Sequence, residues 1–349
     1  MVRALAEQEA DVVLLQEVID GGALGAALGL GQAADLTAAL NTERAKQDVL
    51  RAQRARAPMS EPSPSYRCYA HSEPASYLTS GFGSFPPALS AVLFRYNPVW
   101  HCVQCGAALF NEIFLERLFG RHLMPAFESA LAPLLFIGSG TAFVFGKASL
   151  VASNVPASGE PSTLRLGAWR TAQKLYVDFG GKRVCVVNVH LHSGRSVERI
   201  ECRARQLRAV LEWVGSDYRR RRFDALIIGG DFNAPPTEPA YQLLDGRGFR
   251  SCHKVARGAE PDCTFPGIGS GLLSDTKDND PAGVFDYIFV AGDVAVNEAK
   301  LFADAPCGGD TTLYPSDHYG LCADLTIGGQ KDKDAALGEL QNALDRRES

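Results

Sequence analysis

No apolar stretch of this chain is long enough to cross a bilayer. The charge-free run Leu131 to Gly146 falls short of the roughly 20 apolar residues that a span requires, and Pro133, Gly138 and Gly140 break it. It reads as a buried strand pair, with an apolar lip that touches lipid as the alternative. Cysteine offers no framework: there are nine, an odd number, without disulfide-type spacing. Cys102 and Cys105 make one CxxC, but no second pair follows to complete a zinc site. No signal peptide opens the chain, so a reducing intracellular setting, cytoplasmic or nuclear, is expected. Positive charge is in short supply as well. A net charge of −5 excludes a protein that coats nucleic acid by charge alone. Long stretches that interleave aromatic and basic residues, suited to stacking single-stranded bases, are missing too, and no internal repeat is found.

What is present is ample material for a core: 349 residues, 46% hydrophobic and 21% charged. Met1 to Ala10 reads as a helix that leads straight into the strand DVVLLQEV. Asn41 to Arg56 is polar and helix-compatible, Ala57 to Ser65 reads as a loop, Ala88 to Arg95 as a core strand and Cys105 to Ala130 as helical. Arg170 to Val189 predicts a hairpin: alternating TAQKLYVDF, a GGKR turn, then VCVVNV. Arg195 to Val214 predicts an amphipathic helix with Leu207, Val210, Leu211 and Val214 on its apolar stripe. Residues 329–349 form a charged tail that reads as a frayed helix.

Five polar clusters sit at the ends of apolar, strand-like runs. They are Gln16-Glu17 after DVVLL, Asn188-Val-His190 after RVCVV, and Asp231-Phe-Asn233 after ALIIGG. Asp286-Tyr287 opens DYIFV, and Ser316-Asp317-His318 opens HYGLCADL. Exits and entrances can share one rim of a mixed or antiparallel arrangement. One rim would then gather Glu17, His190, Asp231, Asn233, Asp286, Asp317 and His318. Four carboxylates cannot crowd there cheaply unless a cation or a proton relieves the repulsion. Hard oxygen ligands of this kind suit Mg²⁺ or Mn²⁺, with a substrate phosphate completing the shell.

Each cluster has a bland reading as a strand end, turn or cap. Yet Asp231 and Asn233 are spaced i, i+2 and face one way on an extended segment. Asp231 could therefore orient or deprotonate a water while Asn233 holds a phosphate oxygen. His190 and His192 share a face by the same alternation. Asp286 and His318 would supply a carboxylate-oriented imidazole.

LLQEV, VNVHLHSG, IIGGDFNAPP, FDYIFV and YPSDHYGLCADL, in this order, resemble the successive motifs of the endonuclease/exonuclease/phosphatase superfamily. The resemblance runs from about Glu9 to Ile327, one domain over 1–328, with an insert-like region at about 21–147 that matches poorly. It implies an α/β fold, a four-layer sandwich of two packed mixed sheets flanked by helices, with the site on one rim. It implies Glu17 as the main Mg²⁺ ligand, Asp317 as a second metal contact, and His190, Asp231, Asn233, Asp286 and His318 as catalytic residues. Asn188 and His192 would meet the substrate, and HLHSG leans toward neutral sphingomyelinases. Arg203 and Gln206, one turn apart, would brace the rim, and Tyr287 would be structural. Arg219 to Arg222 would be a solvated loop opposite the site.

Family members place a strand ending in Asn before the first helix, and this sequence has no room for it. A missing central strand would leave an apolar slot beside unpaired backbone groups. The expected function is Mg²⁺- or Mn²⁺-dependent hydrolysis of phosphoesters by a monomeric nuclease or nucleotide phosphodiesterase. The alternatives are a sphingomyelinase-like lipid phosphodiesterase and an N-terminally truncated, inactive member.

Overall fold

The structure, a computed structural model, describes residues 1–20, 32–55, 63–68, 146–159, 161–167, 170–220, 223–267, 281–306, 314–328 and 333–345. Its helices are α1 (Val2–Glu7), α2 (Gln32–Ala55), α3 (Val197–Arg220), α4 (Pro239–Asp245), α5 (Cys252–Arg257) and α6 (Lys333–Asp345). The early strands are β1 (Val12–Asp20), β2 (Arg67–Cys68), β3 (Gly146–Ser153), β4 (Ser162–Gly167) and β5 (Arg170–Phe179). There follow β6 (Lys182–His190), β7 (Ala225–Asp231), β8 (Arg250–Ser251), β9 (Asp286–Gly292), β10 (Val294–Phe302) and β11 (Gly320–Ile327).

Six strands form the central sheet in the order β4-β5-β6-β7-β9-β8. The expected hairpin is its β5–β6 arm, paired from Ala172↔Val189 to Phe179↔Lys182. Gly180 and Gly181 turn it with φ of 59° and 82°, the left-handed pair that a tight two-residue hairpin loop requires. β6 and β7 are parallel and the other ladders antiparallel, so the sheet is mixed. A parallel pair needs a crossover, and α3 provides it. The predicted stripe Leu207, Val210, Leu211 and Val214 is at most 1% exposed against the sheet. The helix continues past Val214 to Arg220.

The opposite face of this sheet packs Val184, Val186, Ala225 and Val290 on β1 (Val12, Leu14), on Val294 and Ala299 of β10 and on Leu325 and Ile327 of β11. Beyond β1 and β3, a third apolar cluster joins Ala6 of α1, Leu40 of α2 and Tyr66 to Val13 and Ala152. The layers are therefore α3/α4/α6, the six-stranded sheet, the second β layer and α1/α2, which is the expected four-layer α/β sandwich. Among the described residues the second β layer comprises two antiparallel pieces, β1-β3-β2 and β10-β11. Between them lies a cavity of about 1150 Å³. Val12 and Leu14 of β1, Val186, Ile227 and Ile288 of the central sheet, and Leu325 of β11 are among the residues lining it.

The C-terminal segment is helical, as expected, and its apolar side chains pack on the domain. Leu340, Ala343 and Leu344 are buried in the same cluster as Leu211, Val214 and Ala291. Charge dominates the composition of 329–349, while three apolar side chains at helical spacing decide where α6 goes.

Ala88 to Arg95, Cys105 to Ala130, the Cys102–Cys105 pair and all of Leu131 to Gly146 except its last residue lie outside the described residues, as do Arg221 and Arg222. Arg219 and Arg220 close the last turn of α3. Among the described residues, no helix is long and apolar enough to cross a membrane.

Candidate active site

The central sheet places three site residues in one lateral row. His190 ends β6 opposite Asp231, which ends β7, and Asp231 pairs with Asp286, which opens β9. The row is possible because Gly230 lets the strands close up. Its φ is +132°, and a Cβ there would meet the Val189 carbonyl oxygen at 2.1 Å. The chain then turns sharply. The Asp231 carboxylate accepts the Asn233 backbone N–H through Oδ1 at 2.7 Å and the Asn233 side-chain amide through Oδ2 at 2.9 Å. Asn233 takes a left-handed φ of 52°, which asparagine tolerates better than most residues. Phe232 between them is fully buried, edge-on to Tyr287. The Tyr287 hydroxyl lies 2.8 Å from the carbonyls of Ala234 and Val284, a structural role as expected.

His318, just before β11, donates from Nδ1 to Asp286 Oδ2 over 2.8 Å. The carboxylate-oriented imidazole read from sequence is thus formed. One carboxyl or imidazole atom from each of Asp231, Asp286 and His318 lies within 4.8 Å of the others. His190 Nε2 stands 3.5 Å from Asp231 Oδ2. Burial, with the like charge of Asp286 second, pushes Asp231 up to about 7, against the opposing pull of His318 and the Asn233 N–H. Burial works against a charged His318, but the charge and hydrogen bond of Asp286 outweigh it and hold the imidazole up to about 10. At neutral pH the cluster therefore has an imidazolium at one end and a carboxyl poised to exchange its proton at the other.

The remaining expected residues divide. Gln16 and Glu17 do not end a strand; β1 runs on to Asp20, and its register against β3 slips between Leu15 and Val18. A bulge at that point re-aims side chains beside a site. The side chain of Glu17 lies outside the described residues. Asp317 is exposed next to His318 and adds to the field that raises it. Asn188, expected at the substrate, is 0% exposed. Its amide donates to the Leu15 carbonyl at 2.9 Å and accepts from Gln16 at 2.6 Å, so it ties β6 to the β1 bulge and keeps no surface for a substrate. The His192 ring contacts the Ser193 carbonyl through Nδ1 at 2.7 Å and the Arg199 guanidinium through Nε2. Asn233 spends its side-chain nitrogen on Asp231 and on the Leu191 carbonyl (3.1 Å), and so serves first as the clamp on Asp231.

Sequence reading missed three residues. Thr264 accepts the Phe285 and Asp286 N–H groups on its hydroxyl at 2.9 and 3.1 Å, and its carbonyl accepts the Tyr319 N–H at 2.7 Å. It fixes both Asp286 and the His318 loop, yet a lone Thr before Phe-Pro carries no signal. Arg170 donates to Ser193 Oγ at 3.0 Å, and its charge reaches Asp231. Arg195 donates to the Asn233 carbonyl at 2.6 Å. Both read as ordinary polar residues flanking a strand and a helix.

Asp286→Asn tests the electrostatics. It should move the alkaline limb of the kcat/KM profile to lower pH by about one to three pH units, because it removes the charge that holds the His318 proton. The acid limb should also fall, since Asp231 loses its like-charged neighbour. An alkaline limb that stays in place would show that another group controls it.

The oxygen-rich cluster suits a hard divalent ion. A buried carboxylate and a part-buried one stand side by side in one row, and Asp231 is held toward its neutral form, a condition that a bound cation relieves.

The sequence matches a family model described as "Endonuclease/Exonuclease/phosphatase family" over residues 1–318. No curated protein matches the chain closely enough to compare. Among solved structures, an endonuclease/exonuclease/phosphatase family protein from Leptotrichia buccalis is similar in fold. It gives a TM-score of 0.51 at 13% identity, over 93% of this chain and 91% of that one. Truncated TDP2 of Caenorhabditis elegans gives 0.40 at 21% identity, over 53% of this chain and 71% of that one. The human Nocturnin catalytic domain with bound sulfate gives 0.39 at 21%, over 55% and 67%.

Proposed function

The chain belongs to the endonuclease/exonuclease/phosphatase family, a family of phosphoester hydrolases, and we propose that it is a metal-dependent phosphodiesterase acting on nucleic acid or nucleotides. The observation that carries this reading is the row His190–Asp231–Asp286 with His318 bonded to its end. Such a row holds one base and one cationic acid around a single phosphate-sized position.

In this reading Asp231 accepts the proton of the attacking water as the water oxygen bonds to phosphorus. Asn233 holds the Asp231 carboxylate in place by two hydrogen bonds. His318, kept protonated by Asp286, stabilises the charge that builds on the phosphoryl oxygens as the ester P–O bond breaks, and His190 supports the same oxygens. Glu17 and Asp317, as the resemblance implies, would hold Mg²⁺ or Mn²⁺ beside the Asp231 and Asp286 carboxylates. Such an ion, when bound, polarises the phosphoryl oxygen and offsets charge on the leaving oxygen.

The test is hydrolysis of bis-p-nitrophenyl phosphate with Mg²⁺ or Mn²⁺, followed by poly(A), single- and double-stranded DNA, sphingomyelin and inositol phosphates. Turnover should vanish in EDTA and return when the ion is restored. Folded, metal-replete protein that cleaves none of these would overturn the reading, and cleavage of sphingomyelin alone would replace the nucleotide with a lipid.

A further inference from the structure

The bond between Asp286 and His318 crosses from one β layer to the other. Asp286 opens β9 of the central sheet, and His318 precedes β11 of the second layer, 32 residues further along the chain. A hydrogen bond that spans two layers keeps its length only where the layers are tied beside it. Thr264, fully buried, is placed to tie them. Its backbone N–H donates to the Gly283 carbonyl at 2.9 Å, and Phe265 and Gly283 exchange backbone bonds of 3.0 and 2.9 Å. Residues 264–265 are thereby clasped against the entrance to β9.

From that position Thr264 reaches a peptide group beside each member of the cluster. Its hydroxyl oxygen has two lone pairs and accepts the N–H of Asp286 itself at 3.1 Å and that of Phe285 at 2.9 Å. The Phe285 carbonyl in turn accepts the N–H of Phe232 at 2.8 Å, and Phe232 stands between Asp231 and Asn233. The Thr264 carbonyl accepts the Tyr319 N–H at 2.7 Å, one residue past His318. The buried ring of Phe265 lies 5.0 Å from the His318 imidazole, centre to centre. One hydroxyl and one carbonyl therefore fix the separations among Asp286, the Asp231 turn and the His318 loop. None of these bonds engages a carboxylate or an imidazole nitrogen of the cluster.

We infer that Thr264 is a positioning residue for the reaction: without meeting substrate, it sets the distance between Asp286 and His318 and so the reach of the imidazole toward the phosphoryl oxygens. Misplacing a reacting group by about 1 Å costs on the order of 10²-fold in rate. Exchanging the hydroxyl for a methyl leaves the Phe285 and Asp286 N–H groups without their acceptor, and the entrance to β9 must shift to find another. This rests on the phosphodiesterase reading above for its effect on rate, while the geometry itself can be read without turnover.

The experiment compares the parent with Thr264→Val, Thr264→Ala, Thr264→Ser and a stability control, Leu344→Ala. Leu344 is buried on α6, whose Leu340 lies beside Gly292, at the opposite end of β9 from Asp286. Thr264→Val should lower kcat for bis-p-nitrophenyl phosphate by about 10- to 100-fold with KM little changed. Thr264→Ala, which also lacks the hydroxyl, should match it, and Thr264→Ser should stay near the parent. Leu344→Ala opens a cavity and should depress the melting temperature at least as far without the loss in kcat. In histidine-labelled protein held in EDTA at neutral pH, the His318 Nδ1–H on the Asp286 carboxylate should give a downfield, exchange-protected proton resonance, assigned by its absence in His318→Gln. That resonance should be lost in Thr264→Val and Thr264→Ala and kept in Thr264→Ser and Leu344→Ala. Rate and resonance that survive in Thr264→Val, a Thr264→Ser variant as poor as Thr264→Val, or an equal loss of kcat in Leu344→Ala would overturn the inference. A resonance that depends on the Thr264 hydroxyl in a protein that cleaves no phosphodiester would sink the hydrolase reading and leave Thr264 as the residue that sets this pair.

Discussion

Asp231→Asn should lower kcat for bis-p-nitrophenyl phosphate by about 10²- to 10⁴-fold, the range that a positioned general base contributes. The fold should tolerate the change. Asn is nearly isosteric with Asp, its carbonyl oxygen can still accept the Asn233 N–H, and removing the charge relieves the repulsion across the Asp231↔Asp286 pair. Thermal melting close to that of the parent, together with the kinetic loss, would place the effect in the chemistry. The pH profile supplies an independent readout. The parent should gain activity as pH rises to where Asp231 gives up its proton, at or below about 7 with a cation beside it, and lose it at high pH, where His318 gives up the proton that Asp286 holds. In the variant the acid limb should vanish. A kcat within tenfold of the parent, or an acid limb that persists, would assign the base elsewhere.

Arg203→Ala should be the most damaging single change to stability. The guanidinium is 0% exposed and bonds both oxygens of Glu238. Removing one partner of a buried pair strands the other charge, which typically costs about 3–5 kcal/mol. For a protein of this size that corresponds to roughly 4–7 °C in Tm. Glu238→Ala should behave alike, and the double variant should cost clearly less than the sum, because the stranded charge is then gone. Denaturant titration with both singles and the double measures this directly. A loss below about 1 kcal/mol, the usual worth of an exposed pair, would mean that the pair is solvated. Activity should fall with stability, since the same guanidinium holds the 192–194 carbonyls and through them the loop of Arg195.

Much of this was legible because the signals are local. The β5–β6 hairpin needed only alternation and two glycines, and the α3 stripe only helical spacing. Asp231 and Asn233 announced themselves by i, i+2 spacing before a proline turn. The bracing by Arg203 and Gln206 was implied by the resemblance, and in the structure both side chains bond the 192–194 backbone. Misreadings arose where a side chain's role depends on its neighbours across the sheet. Asn188 looked available at a strand end, but β1 covers it and takes both ends of its amide. The charged tail read as a frayed helix, but Leu340 and Leu344 find the core.

By itself the sequence determined the element types, the order of the polar clusters and the family, all of which follow from short-range periodicity and from motifs of a few residues. Tertiary structure alone decided which polar groups meet. The parallel register of β6 on β7 and the antiparallel register of β9 bring His190, Asp231 and Asp286 into one row from positions up to 96 residues apart. Thr264, Arg170 and Arg195 acquired their roles in the same way. Burial and a neighbouring charge raise the Asp231 carboxyl to about 7, and neither is a property of an aspartate in a string of letters.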